Sequence, residues 1–124
     1  MKLKSKNIIC IAHEGSAHIV EQVNILKDEY RKLNIPYKQE NHQQLLDETL
    51  REYEYSSLIH VPSNFVKRTF IKQGINESKI FVNPYGVDLA HFKQISKNDD
   101  IFRVIFCGSL SIQKGSHYLL QAFY

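Results

Sequence analysis

Short apolar runs alternate along this chain with longer segments whose apolar residues recur every three or four positions. Asn7-Ile-Ile-Cys-Ile-Ala12 is a continuous apolar run, the pattern of a strand buried on both faces of a parallel sheet. His13-Glu-Gly-Ser16 then supplies a turn. From Ala17 to Leu33 the apolar residues Ile19, Val20, Val23, Leu26, Tyr30 and Leu33 keep helical spacing, with Ser16 placed to cap the helix. Asn34-Ile-Pro36 ends it, because proline drives the residue before it out of the α region. Tyr37 to Gln44 is polar and carries no pattern. Leu45, Leu46, Leu50 and Tyr53 predict a second helix over 45–55.

Ser57-Leu-Ile-His-Val61 is the next short strand, broken by Pro62. Ser63 is placed to cap a helix from Asn64 to Gln73 with Phe65, Val66, Phe70 and Ile71 inward, and Gly74 to close it in the left-handed conformation. Lys79 to Asn83 predicts a third strand and Phe102 to Cys107 a fourth, with the polar connector Gln94 to Asp100 between them. A loop from Gly108 to Gly115 leads into a helix from Ser116. Strands alternating with helices predict an α/β fold with a parallel sheet. Asn83-Pro-Tyr-Gly86 closes one such unit, and the strand from Phe102 opens another. A chain of 124 residues is thus expected to hold parts of two domains, the second incomplete. Tyr118, Leu119, Leu120, Ala122 and Phe123 form an apolar face that a fragment of helix cannot bury by itself.

Composition adds modest bounds. The chain is 43% hydrophobic and 23% charged, as expected of a globular protein without a membrane-spanning helix. The segment from Met1 to Lys6 is basic, but the apolar run behind it is too short for a signal peptide, so a cytoplasmic location is expected. A net charge of +3 falls short of the basic footprint of a nucleic-acid binder. It reads first as solvated lysine faces on helices, and the functional alternative is attraction to anionic partners such as phosphates or, peripherally, a membrane surface. Cys10 and Cys107 read as small buried hydrophobes of strands rather than a disulfide, and no metal spacing occurs.

Val61-Pro-Ser-Asn-Phe65, Pro84-Tyr-Gly-Val-Asp88 with Phe92, and Gly108-Ser-Leu-Ser-Ile-Gln-Lys-Gly115 occur in that order. Together they resemble the central section of a family-4 retaining glycosyltransferase of the GT-B fold. Ile8 to Leu33, with Gly15-Ser-Ala-His18, is similar to the acceptor-side domain of some members. The resemblance implies two Rossmann-like domains. Residues 1–90 would be the C-terminal part of the acceptor-side domain, 91–101 the linker, and 102–124 the start of the donor-side domain. It implies a nucleotide sugar of the UDP or GDP type, a saccharide or lipid-linked acceptor, and no catalytic metal or cofactor.

Site residues follow from the same resemblance. Lys114 would contact the donor diphosphate, with Gly108 letting the backbone approach it and Ser109 standing where many members carry arginine. A neutral hydroxyl there is a weaker phosphate ligand than a guanidinium. His13 follows the first strand, at the mouth of an open α/β sheet where ligands bind. Members often carry a histidine near the donor sugar, and His13 and His18 both compete for that place. Gly15 and Ser16 could cradle a ligand at the helix start, but turn and cap is the favoured reading. Asp88 and Phe92 are expected to anchor the linker, and His60 to be a satisfied strand residue. The alternative class is a non-catalytic or degenerate α/β module that docks to another subunit through its apolar C-terminal helix.

Overall fold

The computed structural model describes residues 8–38 and 42–124, with the side chain of His42 left out. The basic segment Met1 to Lys6, the expected start of the first strand at Asn7, and part of the patternless stretch 37–44 lie outside these residues. The chain divides into two units, one ending at Tyr85 and one running from Gly86 to Tyr124.

The first unit is α/β. Its strands are β1 (Ile11–His13), β2 (Leu58–Val61) and β3 (Ile80–Val82), and its helices are α1 (Ile19–Lys32), α2 (His42–Tyr55) and α3 (Asn64–Lys72). All pairing is parallel, in the order β1-β2-β3. Each crossover steps to the next strand in the same direction, so right-handed connections place all three helices on one face. The core shows this. Ile59 and Val61 of β2 are fully buried with Ile80 of β3, against Tyr53 of α2 and Val66 and Phe70 of α3. Ala12, Ile19, Leu50 and Val82 close around them.

The opposite face carries Ile11, His13, Leu58, His60 and Phe81, and Ile11 and Phe81 are exposed. The first apolar run is therefore not a strand buried on both faces. Only Ala12 of β1 joins the core.

Helix ends follow local chemistry. Ser63 Oγ accepts from Val66 N at 3.2 Å, so the expected cap of α3 is present. Gly74, at φ 86°, closes α3: Gly74 N donates to Ile71 O and Ile75 N to Phe70 O. The same pair of bonds ends α1, with Asn34 at φ 54°. The left-handed asparagine is the stop, and Pro36 only prevents resumption. The N-cap of α1 differs from expectation. His18, not Ser16, accepts from Val20 N through its ring Nδ1 at 3.3 Å. Lys79 Nζ donates to the carbonyls of Tyr53 and Glu54, satisfying the last turn of α2.

The second unit contains a single turn of 3₁₀ helix, Ile112–Lys114, and α4 (Ser116–Ala122). The expected strand over 102–107 is not formed: Phe102 and Ile105 are more than four-fifths exposed. A parallel strand exists only beside a neighbour, and none pairs with it. Cys107 is accordingly exposed rather than buried, and Cys10 only partly buried. Asp88 opens a turn, its Oδ1 accepting from Ala90 N at 2.8 Å, but Phe92 projects outward instead of packing.

Candidate functional site

The carboxyl ends of β1, β2 and β3 meet at His13, His60 and Asn83. Register pairs His13 with His60 and His60 with Phe81. Their side chains share the open face of the sheet. His13 Nδ1 and His60 Nδ1 are in hydrogen-bond contact at 2.5 Å. His60 Nε2 lies 2.9 Å from the Asn83 carbonyl oxygen. The His60 ring stacks on Phe81, with centroids 5.1 Å apart. Tyr85 approaches His13 from the loop after β3, with ring centroids 6.0 Å apart.

Gly15 makes this approach possible. A Cβ on Gly15 would stand 2.7 Å from the Tyr85 hydroxyl, inside any ordinary contact. Neither the cradle nor the cap expected of Gly15 and Ser16 describes this. Gly15 is instead the space that the Tyr85 hydroxyl occupies.

Beside His13, an open groove of about 340 Å³ follows β1, an edge strand among the described residues. Ile11, His13, Glu14, Glu52 and Tyr55 line it. The volume is that of a small ligand site. Burial pushes the Glu14 carboxyl above the usual carboxylate range, and nearby Glu52 adds to the rise. The Tyr53 hydroxyl, donating to Glu14 Oε2 at 3.4 Å, pulls the other way. Tyr53 itself is raised, by burial first and then by the Glu14 charge.

The two candidate histidines separate clearly. His13 is exposed and lines the groove. His18 is 3% exposed and packs on the rings of Tyr53 and Phe70. Its backbone N–H donates to Thr69 Oγ1 at 2.9 Å, its ring caps α1, and burial lowers its pKa. His18 therefore knits α1 to α3 from inside the core.

Gly108, Ser109 and Lys114 belong to the second unit. Gly108 adopts φ 148°, which only glycine takes readily, while an added Cβ would meet nothing closer than Phe106 at 4.0 Å. Backbone conformation, not crowding, is what requires glycine there. Lys114 ends the 3₁₀ turn with its side chain exposed. Its backbone N–H is held by Ser111, and that of Gly115 by the Ile112 carbonyl. Those two donors are thus committed to the loop, and Lys114 offers an anion its ammonium group.

His60 is the satisfied strand residue expected of it, with partners on both ring nitrogens, but its pairing with His13 and the approach of Tyr85 and the Asn83 carbonyl escaped the sequence reading. A signal existed for His60. Both histidines stand near the carboxyl ends of their apolar runs, and parallel register sets such positions side by side. No family model matches the chain, and neither the curated proteins nor the solved structures contain a match. Among the described residues, no helix is long and apolar enough to cross a membrane, and no group of three metal-ligating side chains is assembled.

Proposed function

We propose that this chain is the interdomain section of a retaining hexosyltransferase of the GT-B type. It would transfer a hexose from a UDP- or GDP-sugar to a saccharide or lipid-linked acceptor on the cytoplasmic side of the cell. The observations that carry the proposal are the ordered motifs of the sequence and, within the first unit, a parallel sheet whose first strand ends in the groove-lining His13. In this scheme His13 hydrogen-bonds the donor sugar and Lys114 holds the diphosphate as negative charge builds on the leaving nucleotide. Gly108 and Ser109 shape the loop on which Lys114 stands. Of the two histidine candidates, His13 alone offers an exposed ring.

Calorimetric titration with UDP-glucose and GDP-mannose tests the proposal. Weak binding is expected, with Kd of about 1 mM, or roughly −4 kcal/mol. Absence of any binding heat or competition with either donor at millimolar concentration would sink it. Efficient turnover by these residues alone would instead overturn the division into an acceptor-side unit and a donor-side unit that needs further chain to act.

One observation favours the non-catalytic alternative. Ile95, Phe102, Ile105 and Leu110 of the second unit are each at least 80% exposed. An apolar surface of that kind suits docking to another subunit. Light scattering after size exclusion separates the two: a clean monomer at high concentration counts against docking between copies.

A further inference from the structure

Two imidazoles in contact have undefined tautomers until one nitrogen is tied to a group that can only donate or only accept. The Asn83 carbonyl is such a group. It accepts, so His60 Nε2, 2.9 Å away, carries a proton. A neutral imidazole holds one proton, and His60 Nδ1 is therefore a bare lone pair. That lone pair faces His13 Nδ1. The proton between the rings belongs to His13, which leaves His13 Nε2 as an unprotonated acceptor with no partner among the described residues.

The arrangement is held from several sides. Phe81 stacks on His60, at an interplanar angle of 29°. Tyr85, admitted by the missing side chain of Gly15, flanks His13. The groove that His13 lines offers further acceptors, the carboxylates of Glu14 and Glu52. A site built from a lone pair and carboxylates repels phosphate and favours a ligand that donates hydrogen bonds.

We propose that His60 is a positioning residue: it fixes His13 in the Nδ1–H tautomer and so presents Nε2 as the acceptor for a saccharide hydroxyl. The ligand class rests on the proposed glycosyl transfer, whereas the tautomer does not. His60 touches no substrate in this scheme. It acts through His13, as outer partners of metal-bound histidines do when they set tautomer and ring orientation.

Long-range ¹H–¹⁵N correlation spectra of the full chain test this directly. The spectra are recorded under alkaline conditions, where a neutral ring carries its single proton on one assignable nitrogen. The expected spectrum shows His13 protonated at Nδ1 and His60 at Nε2. His60→Leu should move His13 toward the Nε2–H form. His60→Gln, whose amide can donate to Asn83 and accept from His13, should retain Nδ1–H. His13 found as Nε2–H in the wild-type chain, or unmoved by His60→Leu, would overturn the proposal. One of UDP-glucose and GDP-mannose should shift His13 Nε2, and His60→Leu should weaken that binding about five- to tenfold, the loss of one neutral hydrogen bond. If the tautomers are as stated and the sugar nucleotide leaves His13 unmoved, positioning stands and the glycosyl-transfer proposal fails.

Discussion

Tyr53 ties the groove to the core. It is 1% exposed, packs on Phe70 and His18, and donates to Glu14. Burial and the Glu14 charge both hold its hydroxyl above the ordinary phenol pKa. The folded state therefore keeps this proton more tightly than the unfolded chain does. The associated stability is whole below about pH 10, the ordinary tyrosine value, and drains as pH rises through the folded value. Melting temperature should fall from about pH 10 upward, and Tyr53→Phe, with no proton to lose, should flatten the fall. Parallel curves for the two proteins would contradict the assignment. At the same scale, Gly74→Ala isolates a backbone cost. Nothing lies within 4 Å of the added Cβ, so the left-handed φ of 86° alone sets the loss. About 1–2 kcal/mol is expected, a drop of about 4–8 °C per kcal/mol in the thermal transition of a small domain. The position of Gly74 was legible because helix stops rest on local chemistry. The cap of α1 was not, since Ser16 and His18 are both polar. Only tertiary contact with Thr69 and Phe70 selects the histidine.

Between elements, the decisive link is Thr69. Its hydroxyl donates to Val66 O at 2.6 Å and accepts from His18 N at 2.9 Å, joining α3 to the start of α1 inside the core. Thr69→Val would strand the buried His18 N–H. Denaturant melts should show a loss of about 1–3 kcal/mol, while a loss below about 0.5 kcal/mol would mean that α1 is held by packing alone. The existence of the three core strands, their parallel pairing and the three helices could be read from apolar periodicity, because each buries a face against something present in the first unit, but the strand order and the place of β1 at Ile11–His13 could not. One-sided burial of the sheet could not. An apolar run such as Ile8 to Ala12 looks alike whether one face or both are covered, and here Ile8, Ile9 and Ile11 are exposed. The His13–His60 pair was hidden for a related reason: it is a consequence of register, which no single segment encodes.

The whole molecule is uneven. The first unit holds every buried hydrophobic side chain among the described residues, and in the second only Ser116 is buried. A segment of under about 40 residues seldom stabilises itself without a staple or a partner. Hydrogen exchange should therefore be slow at Ile59, Val61 and Ile80 and close to that of free peptide over 102–107. Slow exchange over 102–107 would mean that the expected strand forms in solution beside a neighbour. Apolar pattern marked that segment as a strand, but pattern only states a capacity for pairing. Lys114, the proposed ligand of the donor diphosphate, stands in this second unit, so donor binding and ordering of the unit should rise together.

The central claim is the proposed recognition of a nucleotide sugar, in which His13 of the first unit and Lys114 of the second have separate roles. An amide and imidazole NMR titration of the full chain with UDP-glucose and GDP-mannose tests it most directly, with Lys114→Ala as the control. One of the two donors should perturb Gly108, Ser109 and Gly115 together with the His13 ring. Lys114→Ala should weaken that binding by about 10- to 100-fold, the worth of one charge-assisted hydrogen bond. Spectra unchanged by both donors at millimolar concentration, or equal binding by the variant, would contradict the claim.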